Sequence, residues 1–431
     1  MTNFLESHPG GEAVILRLSG RDATEEFGPI HPRGTLEEFL PSTACLGTID
    51  PATRPVQKAV TTTMKNDNVS LDELLNLADV EKYGTSRISK AAWAYYWSAS
   101  DDMISKKWNS DAYRSISVRP RVFVDVKTVD TTSYLLGHRF TLPVFVSPTA
   151  MCRLAHPQGE KGIASACGAR GILQIISNNA SQTPEEIVEA SPAEQVFGWQ
   201  VYVQTDATKT EAMIRRINTL RHRIKFIVLT LDAPTPGKRE EDDRQKRESM
   251  PILLPNMSNT SRSPKGGFGK ALFAGTSPSL TWTATLPWLL KHTDLPIILK
   301  GIQTHEDALL ATRHAPQVRG IILSNHGGRA CDTAPAPLQT LLEIQRHCPQ
   351  VTEKLEVWID GGVQRGTDVV KAIALGARGV GLGRAALWGL AAGGAEGVER
   401  VIESMYTMFT SVVSFENMSY ANDDGQSWQK R

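Results

Sequence analysis

Val318-Arg319-Gly320-Ile321-Ile322-Leu323-Ser324-Asn325-His326-Gly327-Gly328-Arg329 is the stretch from which the fold can be read. Its first half, Val318 to Leu323, is apolar enough for a strand buried on both faces. Its second half sets a His just past the strand end, then two Gly, then an Arg. A His there takes a proton near neutral pH. The Gly pair lets backbone approach a ligand closely, and a guanidinium fork suits a carboxylate. A base and an anion clamp three positions apart suggest proton abstraction beside a carboxylate. The plainer alternative is a tight turn with a solvated Arg.

Working outward, the same unit recurs. Apolar runs stand at Leu142–Ser147, Ile172–Ser177, Val196–Val203, Lys225–Leu231, Leu295–Leu299, Val318–Leu323, Leu355–Ile359 and Gly379–Leu382. Amphipathic stretches such as Pro184–Ala190, Thr208–Leu220, His305–His314 and Gly366–Leu375 lie between them. Eight buried strands, each followed by a helix, predict an α/β fold, a (β/α)8 TIM barrel.

Barrel active sites sit at the C-terminal strand ends. There the chain places Pro148-Thr149-Ala150, Ser177, Gln200 with Tyr202, Thr230 to Asp232, Lys300, and the His326/Arg329 motif. The last two ends read Asp360-Gly361-Gly362-Val363-Gln364-Arg365 and Gly381-Leu382-Gly383-Arg384. Glycines allow close approach and Arg365 and Arg384 neutralise charge, so the loops after strands seven and eight predict a phosphate-bearing cofactor. No GxGxxG follows a first strand, which disfavours a Rossmann dinucleotide site.

The 431 residues exceed one ordinary core, so a large barrel plus an appendage is expected. Hydrophobic content of 41% and charged content of 22% describe a globular chain. A net charge of +1 favours neither nucleic acid nor an anionic membrane. Cys45, Cys152, Cys167, Cys331 and Cys348 are odd in number and form no CxxC pair, as expected of reduced thiols inside a cell. There is no apolar run of about 18 residues to span a membrane. With no signal or transit peptide pattern, the expected location is cytoplasmic, or mitochondrial if a presequence has been lost.

The flanks differ from the barrel. His8-Pro9-Gly10-Gly11, Gly20-Arg21-Asp22-Ala23-Thr24 and Pro29-Ile30-His31-Pro32 together resemble the cytochrome b5 haem domain. That resemblance makes His8 and His31 candidate axial ligands of a haem b iron. It covers only the later part of that domain, so the expectation is a small, incomplete module at 1–50 that binds haem weakly or not at all. A linker is expected over 51–70 and the barrel domain over 71–431. Within that last region, Leu71, Leu74, Leu75 and Ala78 have helical spacing, Ala92-Trp93-Ala94-Tyr95-Tyr96 is apolar and aromatic, and Arg119–Val126 reads as a short strand.

The motifs AWAYY, QVYV, TLDAP, IILKG, ILSNHGGR, DGGVQRGTDV and GVGLGR, over about residues 70 to 405, resemble the FMN-dependent α-hydroxy acid dehydrogenase family, in particular its cytochrome-fused branch. The resemblance implies two-electron oxidation of an L-2-hydroxy acid to the 2-keto acid, as hydride or as a carbanion's electron pair. It implies His326 as base, Asp232 as the partner of its far nitrogen, Arg329 as carboxylate clamp with Tyr95, Tyr202 as donor to the substrate, and Arg239 as a second, mobile arginine. It puts Lys300 at the flavin N1/O2 edge and flavin contacts at Pro148, Thr149, Ala150, Ser177, Gln200, Thr230, Ser324, Asp360 and Gly361. The FMN phosphate is expected on Gly362, Arg365, Gly383 and Arg384. A cytochrome c or oxygen would accept the electrons, and a homo-oligomer is expected, although the chain drifts from the pattern after about Met405. Asn179 stands where cytochrome-fused members carry an apolar residue, which points to a polar or altered substrate unless it caps the next helix. The alternatives are an oxygen-using 2-hydroxy acid oxidase, a non-catalytic flavin-binding relic, and an FMN barrel isomerase acting on phosphorylated substrates.

Overall fold

The computed structural model describes residues 69–118, 129–245 and 268–416 (position 274 excepted), Phe123, Lys127 and parts of 15–47. His8, most of the expected linker, most of the strand expected over 119–126, and the tail at 420–431 lie outside the described residues.

A hairpin precedes the barrel: β1 is Ser133–Leu135 and β2 is His138–Phe140. Leu136 (φ 51°) and Gly137 (φ 82°) form its two-residue turn, the positive-φ pair that suits a twisted hairpin. The barrel strands are β3 Val144–Val146, β4 Leu173–Ile176, β5 Phe197–Val201, β6 Ile224–Thr230, β7 Ile297–Ile302, β8 Val318–Leu323, β9 Glu356–Asp360 and β10 Gly379–Leu382. They close in the order β10-β3-β4-β5-β6-β7-β8-β9, every pair parallel. All eight expected runs are strands, with ends shifted by up to three residues.

The runs read as continuous because both faces of each strand are buried. Inside the barrel Phe145, Leu173, Ile175, Phe226, Val228, Ile298, Ile322 and Trp358 form one cluster, which Leu135 and Phe140 of the hairpin join. Trp358 lies 5.3 Å from the Phe145 ring and 5.6 Å from the Phe226 ring. The Glu356 carboxylate accepts from the Leu136 backbone N–H at 2.9 Å, tying the hairpin to β9. The hairpin therefore plugs the end of the barrel opposite the strand C-termini.

Four helical pieces between residue 70 and the hairpin cover the other end. The helix expected around Asp72–Val80 is instead a short 3-10 turn, Leu71–Glu73, followed by a helix at Leu77–Thr85. Asn76 separates them because its Oδ1 accepts from Ala78 N (2.9 Å) and Asp79 N (3.2 Å), an N-cap. Lys90–Trp97 and Ile104–Arg114 follow. The last helical stretch, Arg384–Glu416, breaks at Gly394 (φ 62°) and continues well past Met405. No helix among the described residues is long and apolar enough to cross a membrane.

Candidate active site

The strand C-termini open into a cavity of about 550 Å³, within the range of cofactor and small-molecule sites. Its lining draws on the ends of seven strands, from Ser147–Ala150 after β3 to Gly381–Arg384 on β10.

His326 sits at the end of β8 with φ 59°, in the left-handed region that non-glycine residues seldom occupy. Ser324 Oγ holds that turn, accepting from the His326 backbone N–H at 3.0 Å and from Lys300 Nζ at 2.8 Å. His326 Nδ1 lies 2.8 Å from Asp232 Oδ1. A carboxylate accepts, so Nδ1 carries the proton and Nε2 is left as the basic nitrogen. Nε2 lies 3.5 Å from the Tyr202 hydroxyl, on the cavity side. The other Asp232 oxygen accepts from Lys300 Nζ at 3.3 Å, and Asp360 Oδ2 lies 3.7 Å from the same nitrogen.

Burial sets the charges. It pushes the His326 imidazole below its ordinary pKa, partly countered by Asp232 and reinforced by Lys300. Burial works against the Asp232 carboxylate too, but Lys300 and His326 hold it well below the usual range. Lys300, disfavoured by burial, is raised by Asp232 and Asp360 and stays a cation. Burial pushes the Tyr95 and Tyr202 hydroxyls up, so both remain protonated donors. The cluster is a neutral base backed by an ionised acid and a fixed positive charge.

Arg329 closes the carboxyl end of helix Lys90–Trp97. Its Nη1 donates to the carbonyls of Tyr95 (2.8 Å), Tyr96 (3.0 Å) and Ser98 (3.0 Å), groups that a helix end leaves unpaired. Its guanidinium lies 5.1 Å from the Tyr95 ring centroid. Arg239 is 3% exposed, donates from Nε to the Arg329 carbonyl at 3.2 Å, and lies 5.8 Å from the Phe273 ring centroid. Burial and Arg329 lower it to about 9. Both arginines face the cavity, and neither makes an ion pair among the described residues, although the buried Asp242 acts on both.

On the other wall Gln200 Nε2 donates to Thr230 Oγ1 at 2.9 Å, and Ser177 Oγ donates to Gln200 Oε1 at 3.1 Å. Ser147 Oγ donates to Asp360 Oδ2 at 3.1 Å. Gly362 (φ 82°) passes so close to the next helix that a Cβ would stand 2.3 Å from the Asn109 carbonyl. Polar groups along one side, a buried Lys, and a glycine-lined corner with Arg384 fit a flavin with its phosphate.

Of the residues singled out in the sequence, Tyr95, Pro148, Thr149, Ala150, Ser177, Gln200, Tyr202, Arg239, Lys300, His326, Arg329, Asp360, Gly361, Gly362, Gly383 and Arg384 line the cavity. Thr230, Asp232 and Ser324 stand directly behind it, bonded to lining residues. Arg365 does not line it. That residue is exposed at the start of helix Gly366–Ala374, its N–H donating to Asp368 Oδ2 at 3.0 Å, and Gln364 takes the lining position. His31 is 6% exposed in the N-terminal segment, its Nδ1 2.9 Å from the Phe27 carbonyl and its ring stacked on Phe27 at 3.9 Å.

Sequence reasoning missed Trp97, Lys106, Leu272 and Phe273, all of which line the cavity. The Phe273 ring packs on Tyr202 at 5.3 Å and lies 6.3 Å from His326. Lys106 belongs to a helix held by paired amides: Asn109 Nδ2 donates to Asn325 Oδ1 (2.8 Å) and Asn325 Nδ2 to Asn109 Oδ1 (2.7 Å). An Asn in SNHGGR is the one sequence hint of that docking.

Residues 84–415 match the model of the FMN-dependent dehydrogenase family, and residues 1–50 match that of the cytochrome b5-like haem/steroid binding domain. L-lactate dehydrogenase (cytochrome) of Saccharomyces cerevisiae is 37% identical over 422 residues, covering 94% of this chain and 71% of that protein. 2-Hydroxyacid oxidase 2 of Mus musculus is 41% identical over 331 residues, covering 77% of this chain and 91% of its own. Among solved structures, a flavocytochrome b2 variant with sulfite bound superposes with a TM-score of 0.73 at 37% identity, over 83% of this chain and 86% of that one. A mandelate oxidase variant with (S)-mandelic acid gives 0.69 at 30% identity, over 79% and 94%. With its closed parallel barrel and the His, Arg and Lys of its mouth, the chain belongs to the FMN-dependent dehydrogenase family.

Proposed function

We propose that the protein oxidises an L-2-hydroxy acid, lactate-like in its reacting part, to the 2-keto acid, with His326 as the base. The observation that carries this is a neutral imidazole facing the cavity, with Nδ1 on Asp232 and two cavity-lining arginines beside it. The substrate carboxylate lies between Arg329 and Arg239. Its hydroxyl faces His326 Nε2, and the Tyr202 O–H donates to it. When Nε2 takes the proton, Asp232 stabilises the imidazolium without itself being protonated. Bound along Ser177, Gln200 and Lys300, FMN supplies the two-electron acceptor, and the Lys300 cation favours negative charge there.

Ala150, Asn179, Leu272 and Phe273 line the cavity and are the groups available to the substrate's side chain. Asn179 does not cap the following helix, since Thr183 does so, its Oγ1 accepting from Glu186 N. An amide with no capping duty supports a substrate longer or more polar than lactate. Both cytochrome-linked and oxygen-using relatives resemble the chain, so a cytochrome c and oxygen are the two candidate acceptors. A homo-oligomer in the cytoplasm or mitochondrion completes the proposal; gel filtration and fractionation test it.

The test is an anaerobic visible spectrum. L-lactate and longer 2-hydroxy acids are expected to bleach the flavin band of the wild type. His326→Gln is expected to keep the band and slow its bleaching on the order of 10²–10⁴-fold. A band that no 2-hydroxy acid bleaches would sink the proposal in favour of a flavin-binding relic.

A further inference from the structure

At the glycine-lined corner of the cavity two cations share one acceptor. Lys106 Nζ donates to the Trp97 carbonyl at 2.7 Å, and Arg384 Nη1 approaches the same oxygen at 3.5 Å. Arg384 Nη2 also donates to the Gly327 carbonyl. The Lys106 ammonium lies 3.8 Å from the Trp97 ring centroid, so the indole face fixes it from one side. Trp97 itself stacks on Trp93 at 5.0 Å.

No acid neutralises the pair. Among the described residues neither Lys106 nor Arg384 makes an ion pair with a carboxylate. Glu81 lines the same cavity and draws on both, but beyond ion-pair distance. Asp360, which also acts on Arg384, is engaged by Ser147 and Lys300. Burial and the nearby Arg384 bring Lys106 down to about 7, and burial with Arg329 brings Arg384 to about 10. Two cations held together with no carboxylate at ion-pair distance among the described residues are a site shaped for an anion. Apart from Glu81 and Asp360, the lining here adds neutral groups: Gly361, Gly362, Gln364 and Gly383. Arg365 is exposed and does not line the cavity, so a second positive charge has to come from another element.

We infer that Lys106, from helix Ile104–Arg114, supplies that charge and is a phosphate-binding residue of the flavin site, paired with Arg384. The inference rests on the FMN reading above. A compact ammonium beside a guanidinium neutralises a dianionic phosphate, and the Trp97 carbonyl gathers both heads by accepting from each. The helix reaches the corner because the Asn109–Asn325 amide pair docks it there, and a side chain at Gly328 would strike it, a Cβ standing 2.7 Å from Lys106 N.

The test compares FMN with riboflavin, which lacks the phosphate. The full-length apoprotein is titrated with each by flavin fluorescence. Lys106→Met is expected to weaken FMN binding roughly ten- to hundredfold, the loss of a charge-assisted contact, and to leave riboflavin within about twofold. Lys106→Arg is expected to recover most of the FMN affinity. Parallel weakening of FMN and riboflavin would overturn the inference, because it marks a packing role. Unchanged FMN affinity in Lys106→Met would overturn it too. Wild-type protein that binds neither flavin would reject the FMN reading itself, and this inference with it.

Discussion

Asp232 holds two partners at once, the neutral His326 through one oxygen and the Lys300 cation through the other. That double duty predicts the pH behaviour. The base must be neutral to act, and the folded His326 pKa is depressed, mainly by burial. Activity is therefore lost only as pH falls through a value below the ordinary His pKa of about 6.5, and kcat/KM is expected to be flat from there to neutrality. A limb above that value would place another group in the role of base. Asp232→Asn removes the stabiliser of the imidazolium and leaves Lys300 beside it. Its kcat is expected to fall on the order of 10²–10⁴-fold with the flavin retained, read by anaerobic bleaching rates. A variant with undiminished kcat would show that the pair serves packing alone. His326, Arg329 and Lys300 were legible in the chain because each ends a strand run, and barrel strand ends converge. Lys106 was not, because its place depends on a helix outside the barrel repeat and on an amide pair between Asn109 and Asn325.

At the scale of elements, the eight strands were legible for a physical reason: both faces are buried, so the apolar runs are unbroken. The hairpin β1–β2 was missed. Its three-residue strands carry too few alternating positions to register, and Leu135 and Phe140 bury only because the barrel interior is there to receive them. The packing of helix Leu77–Thr85 on the first half of Arg384–Glu416 was equally hidden, since it depends on one glycine. A Cβ on Gly84 would stand 2.4 Å from the Trp388 carbonyl oxygen. Gly84→Ala must push the helices apart, and overpacking of this kind costs roughly 1–3 kcal/mol. Trp388 lines the cavity and meets Tyr96 edge-on at 6.1 Å, so the displaced wall is expected to weaken flavin binding too. Urea unfolding with and without added FMN measures both effects. Equal midpoints for wild type and Gly84→Ala would mean that the helices relax without cost.

The whole molecule joins a well-packed barrel to a segment of different character. Arg153, in the turn after β3, donates to the Gly28 carbonyl, so residues 1–50 touch the barrel close to cavity-lining Ala150. Among the residues of that segment whose burial is described, His31 and Thr35 are the buried ones. A haem macrocycle needs an apolar wall on both sides as well as axial nitrogens. The Phe27 carbonyl presents His31 as a ligand nitrogen should be presented, through Nδ1. Its ring stacks on Phe27 and is 6% exposed, so a macrocycle reaches it only if the segment opens. Haem is therefore expected well below one per chain in a pyridine haemochrome assay of the full-length protein supplied with excess haem. Electrons from the hydroxy acid would then leave for oxygen, detected as hydrogen peroxide, faster than for cytochrome c. Stoichiometric haem with rapid cytochrome c reduction would reverse both expectations: residues 1–50 would then be a working electron carrier, and Arg153→Ala, which cuts its tie to the barrel, would be expected to slow cytochrome c reduction while leaving flavin bleaching intact.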